Sequence, residues 1–130
     1  MTRRRTETAL AWVSIGLLAI YAPVETIYSW SGGLGSPYYI IDVIAFALLL
    51  AGIVRSLRAR PRPAPGVLTA GWGWAGANFW RAAFDRIGTL QRGGTLDLGS
   101  LELRFVCGEL LVSLLCLAMG LALLHGSPVD

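Results

Sequence analysis

The sequence predicts an all-α protein, a polytopic integral membrane protein whose four transmembrane helices form one bundle with short loops. Of its 130 residues, 55% are hydrophobic and only 15% are charged, whereas about a quarter of the residues in a soluble domain are charged. Four apolar runs are separated by segments rich in Arg, Gly or Pro. The length fits a single membrane domain, residues 1–130.

The first helix is predicted over residues 7–24, directly after a head with three consecutive arginines. Pro23 is expected to kink or end this helix, because proline has no backbone N–H to donate. A signal peptide has the same charged head and apolar middle. The helix is favoured because Ile20-Tyr21-Ala22 is a poor cleavage site.

The second helix is predicted over residues 38–58, and the Arg/Pro segment 59–65 that follows is expected to be a stiff, extended linker. The third helix is predicted over residues 66–87. It carries small residues spaced four apart, which allow helix backbones to approach closely in lipid. The candidate helix-packing residues are Gly71, Ala75, Gly73 and Ala77.

The fourth helix is predicted over residues 101–125, after an outer loop at residues 88–100. Within it, residues 105–124 carry one charge, that of Glu109. Twenty such residues are enough to cross a bilayer core of about 30 Å.

Four crossings place both termini on one side of the membrane, and arginine counts indicate which side. Seven arginines precede the first apolar run or follow the second, against four near the other side, and the first outer loop has none. Basic residues are enriched in cytoplasmic segments. Both termini are therefore predicted to be cytoplasmic, in the inner (cytoplasmic) membrane.

The net charge of +3 is too small and scattered to indicate nucleic-acid binding.

Polar residues form a stripe on the third helix and another on the fourth. The stripe on the third helix consists of Gly71, Trp74, Asn78, Arg81 and Asp85. That on the fourth consists of Glu102, Glu109, Ser113, Cys116 and Gly120. In lipid such stripes must face protein or trapped water. We therefore expect the two stripes to face each other, with Arg81 bridging to Asp85, Asp42 or Glu109.

The candidate binding residues fall in the outer half of this bundle: Glu25, Asp42, Asn78, Arg81, Asp85 and Glu109. One interpretation is a polar network that fixes helix register. The other is an acidic cavity, open to the outside, for a cation, a proton or a cationic amphiphile. The first is favoured because several of these residues lie near helix ends, where charge costs little. Asp42 and Glu109 are the strongest functional candidates, since each precedes a long uncharged run.

The sequence assigns no catalytic residue, cofactor or metal site, because it contains no nucleophile elbow, Cys–His pair or HExxH motif. Three hypotheses remain open. The first is a structural or accessory subunit that docks through its third helix in a homo-oligomer or a larger membrane complex. The second is a small oligomeric transporter or channel with an outward-facing acidic site. The third is a membrane-embedded enzyme or binder of a lipophilic ligand. The expected partners are the lipid bilayer and either a membrane protein or a second copy of the chain.

Overall fold

Four long helices make up the structure, a computed structural model that describes residues 2–30, 37–58 and 65–126. They are α1 (Arg3–Trp30), α2 (Pro37–Leu57), α3 (Gly66–Gln91) and α4 (Ser100–His125). The predicted all-α class is confirmed. Most of the predicted Arg/Pro linker, residues 59–64, lies outside the described residues.

Three of the four helices are long and apolar enough to cross a membrane. The apolar segments are Arg3–Ile27, Tyr39–Leu57 and Ser100–His125, with mean hydropathies of 1.6, 2.3 and 2.2. Helix α3 does not belong to this group, because glycine, tryptophan and polar residues take the place of leucine and isoleucine along much of it. Of the four predicted transmembrane helices, three are therefore long and apolar enough to span a membrane.

Helix α1 is longer at both ends than predicted. The Thr2 side-chain oxygen accepts a hydrogen bond from the Arg5 backbone N–H at 3.4 Å, which satisfies a donor in the first turn of the helix. Pro23 lies inside the helix and does not end it. Proline removes a single backbone hydrogen bond, and just beyond it the Thr26 hydroxyl donates to the Ala22 carbonyl at 2.7 Å.

Helix α3 also extends further than predicted, which shortens the loop before α4. Gly88 is accommodated within the helix, which ends at Gln91. Gly93, with a φ of 77°, adopts the left-handed conformation that commonly terminates helices. The loop therefore comprises residues 92–99, fewer than the 88–100 predicted.

The helices run antiparallel, and α3 lies between α2 and α4. On one side, a Cβ added at Gly52 of α2 would lie 2.5 Å from the Cα of Leu68. On the other, a Cβ added at Gly120 of α4 would lie 3.0 Å from the Cβ of Thr69. The small residues thus bring three helices into close contact, with α3 in the middle.

Helix α1 completes the bundle by packing mainly against α2, and it contacts α4 less. At the end that carries both termini, which we call the termini side, the Arg3 guanidinium donates to the Leu123 carbonyl of α4. Inside the bundle, Trp72 of α3 donates to the Ser14 hydroxyl of α1 at 2.9 Å. Towards the opposite end, the loop side, α1 and α4 leave a cleft between them.

The close approach of α2 and α3 predicts that Gly52→Ala destabilises the protein by about 1–3 kcal/mol, because the new methyl group collides with backbone. Gly16→Ala is the matched control. Nothing lies within 4 Å of a Cβ at Gly16, and alanine favours a helix by up to about 1 kcal/mol. Denaturation in detergent micelles measures both free energies of unfolding. Equal stability of the two variants would contradict this packing.

Candidate functional site

Asp42 is the centre of a hydrogen-bond network on the loop side of the bundle. This carboxylate is only 5% exposed. Its Oδ1 accepts hydrogen bonds from the Tyr21 hydroxyl at 3.0 Å and from the Asn78 amide at 2.5 Å. The Asn78 Oδ1 accepts from Arg81 at 3.2 Å. The network thus links α1, α2 and α3, and it ends at an exposed guanidinium.

The predicted stripe on α3 faces α2, and not α4 as expected. Gly71 packs against the backbone of α2 at Leu49. Trp74 donates to the Ile41 carbonyl at 3.1 Å, and Asn78 bonds Asp42 as described above. Arg81 donates a hydrogen bond to Asn78 and interacts electrostatically with Asp42, which is one of its three expected partners.

The stripe on α4 does face α3, but it meets different residues. Ser113 is buried, and its Cβ lies 3.7 Å from the position that a Cβ would take at Gly76. Nearer the loop, Glu102 accepts from the Arg86 Nε at 2.7 Å in a partly buried ion pair. Successive residues of a helix are turned by about 100°, so α3 presents different residues to α2 and to α4. The two stripes do not meet because the stripe on α3 lies on the face towards α2.

A cleft of about 360 Å³ opens between α1 and α4 on the loop side. Most of its walls are apolar, and four aromatic rings contribute to them: Tyr21, Trp72, Phe79 and Phe105. Tyr21 is held edge-on against Phe79, with 4.8 Å between ring centroids. Since its hydroxyl is fixed by Asp42, the ring forms a rigid part of the wall.

Glu109 is the acidic residue that lines this cleft, and Arg104 is the basic one. The Glu109 Oε2 is shielded from solvent and has no hydrogen-bond partner among the described residues. The carboxylates of Glu25 and Asp42 are close enough to interact electrostatically with Glu109, as is the guanidinium of Arg86. A buried acceptor without a donor is costly, so this oxygen is the place where the cleft best accommodates a polar group of a ligand.

The structure brings together four of the six predicted site residues directly or electrostatically: Glu25, Asp42, Asn78 and Glu109. Arg81 joins them through Asn78, while Asp85 is exposed. Of the predicted helix-packing residues, Gly71 and Ala75 are buried, Gly73 lies near Leu117 of α4, and Ala77 is exposed.

Sequence reasoning missed Tyr21, Trp72 and Arg86. The first two were overlooked because aromatic residues in an apolar run resemble ordinary core or interface residues. A helical-wheel comparison of the first helix would have placed Leu17 and Tyr21 on one face, which would have identified one wall of the cleft. The role of Arg86 depends on its distance from Glu102, which no pattern in the sequence reveals.

In the described part of the chain, no group of three or more His, Cys, Asp or Glu side chains is arranged to hold a metal ion. Comparisons with protein-family models, with curated proteins and with solved structures find no match for this chain.

The network predicts that Asp42→Leu destabilises the bundle by about 1–3 kcal/mol, because it leaves the buried donors of Tyr21 and Asn78 without an acceptor. Asp42→Asn keeps an acceptor oxygen and should cost less. Asp85→Leu, at an exposed position, should have a small effect. Unfolding in detergent micelles measures all three, and indistinguishable losses at Asp42 and Asp85 would argue against the network.

Proposed function

We propose that this protein is a small integral membrane protein that binds a lipophilic ligand in the cleft between α1 and α4. The observation that supports this most is the cleft itself, which is lined by apolar and aromatic side chains and by a Glu109 oxygen that has no hydrogen-bond partner in the described part of the chain. Ligand sites typically combine apolar walls with a few polar groups. An opening between two apolar helices would face the bilayer, from which a lipophilic molecule can enter.

We propose further that all four helices cross the membrane. Helix α3 is less apolar than the others, yet it lies beside α4 from Thr69 and Gly120 at one end to Arg86 and Glu102 at the other. If α2 and α4 cross the membrane, α3 crosses it at the same depth, because it contacts both of these helices along its length. Its Asn78 and Arg86 side chains find partners on these neighbours, Asp42 and Glu102, as polar groups in the membrane interior require.

We propose an inner-membrane location, and the arginine distribution favours both termini in the cytoplasm. In this orientation the cleft and the Asp42 network lie in the outer half of the bilayer.

An accessory role through α3 receives less support from the contacts. Gly71 and Ala75, which were expected to attract a partner, are buried within the chain. Ala77 and the exposed ring of Trp80 remain on the outer surface of α3. A transporter or channel would need several copies, because one four-helix bundle is too thin to enclose a pathway.

The number of crossings predicts where the termini lie. With four crossings, reporters fused to the N-terminus and to the C-terminus should give the same cytoplasmic signal in intact cells. With three crossings, as hydropathy alone would suggest, the two reporters should disagree. A green fluorescent protein and a periplasmic phosphatase, each fused in turn to the N-terminus and to the C-terminus, distinguish these outcomes.

Ligand binding predicts saturable quenching of Trp72 by bromododecane, a neutral lipophile whose bromine quenches indole on contact. Trp72 lines the cleft and is only 3% exposed. The experiment uses the protein in lipid nanodiscs, with the other four tryptophans replaced by phenylalanine. Gly108→Phe should weaken quenching at least about tenfold by filling the cleft, since a side chain at Gly108 meets nothing within 4 Å.

Ala118→Phe is the matched control, because Ala118 is exposed on the same helix and does not line the cleft. This variant should quench as the parent does. Quenching that rises linearly with bromododecane, or that is unaffected by Gly108→Phe, would contradict binding in the cleft.

A further inference from the structure

The cleft is itself amphipathic along its length. Glu109 and Arg104 lie towards the loop side, in the first turns of α4. Trp72 lies towards the termini side, near the start of α3. Because α3 and α4 run antiparallel, the start of α4 and the start of α3 lie at opposite ends of the bundle. The cleft therefore has a polar end at Glu109 and an apolar end at Trp72. An elongated ligand would therefore place its head near Glu109 and its hydrocarbon chain towards Trp72.

Three features of the polar end favour a positively charged head. The Glu109 Oε2 is buried and has no donor among the described residues, so an N–H group of a ligand would satisfy it with a charge-assisted hydrogen bond. Nearby, Glu25 and Asp42 add negative charge. The aromatic rings of Tyr21 and Phe105 contribute a surface that attracts cations.

The basic residues near this end are placed less favourably for an anionic head. Arg86 is paired with Glu102 at 2.7 Å. Arg104 lines the cleft but is exposed, so its charge is screened more than that of a buried group. The unmet requirement inside the cleft is therefore for a hydrogen-bond donor.

From this geometry we infer that the ligand is a lipophilic ammonium ion, with its N–H groups on the Glu109 carboxylate and its hydrocarbon part between α1 and α4. This inference rests on the proposed binding function and specifies the ligand class. It assigns Glu109 as the residue that selects the head group.

The test measures quenching of Trp72 in nanodiscs by three probes with the same chain: bromododecylammonium, neutral bromododecane and bromododecanoate. Glu109→Gln should weaken binding of the ammonium probe at least about tenfold and leave bromododecane binding unchanged. Asp85→Asn is the matched control, because it removes an exposed carboxylate at the same end of the bundle. This variant should bind all three probes as the parent does.

Each other outcome overturns a defined part of the proposal. If Glu109→Gln leaves ammonium binding unchanged, or weakens both probes equally, Glu109 does not select the head group, although the cleft still binds lipophiles. If bromododecanoate binds most tightly and Arg104→Gln abolishes its binding, the ligand is an anion. If no probe quenches Trp72 saturably, the proposed function fails together with this inference. If Glu109→Gln proves too unstable to measure, Glu109→Asp is used in its place. This variant retains the charge and should still bind the ammonium probe more tightly than the other two probes.

Discussion

The architecture depends on the close approach of α3 to two neighbours at once. Gly52 lets the backbone of Leu68 reach α2, and Gly120 lets Thr69 reach α4. Packing and interhelical hydrogen bonds are the main attractions between helices in lipid, so α2, α3 and α4 would form the tightly packed part of the bundle. Among the described residues, no glycine brings α1 and α4 equally close, and the cleft lies between these two helices.

This packing also determines which polar groups are satisfied. The residues of α3 that face α2 include Asn78, and its amide reaches Asp42. Those that face α4 include Arg86, which pairs with Glu102. Glu109 lies on α4 between these two networks and beside the cleft, where the described residues offer its Oε2 no donor. This oxygen is the one to which we assign the ligand's head group, while Asn78 and Arg86 are held by Asp42 and Glu102.

Composition and the lengths of the apolar runs were sufficient to predict the helical class and the approximate position of every helix. Local signals misplaced several ends, because Pro23 removes a single backbone hydrogen bond and one glycine such as Gly88 costs a helix only about 1 kcal/mol. The polar residues were identified by type, but their partners were not. Asn78 bonds Asp42 of α2 whereas Glu109 lines the cleft, and these placements follow from the central position of α3, which depends on contacts between residues far apart in the sequence. The cleft was not predictable, since it results from the weaker contact between α1 and α4.

The central claim is that Glu109 meets the charged head of a lipophilic ligand inside the bundle. Solid-state nuclear magnetic resonance in lipid bilayers tests it most directly, with a ¹³C-labelled Glu109 carboxylate and a ¹⁵N-labelled dodecylammonium ion. The account predicts dipolar dephasing that corresponds to a separation of about 4 Å, the distance of an ion pair. Absence of dephasing at saturating ligand, with the Glu109 carboxylate close to the Arg86 guanidinium instead, would contradict it.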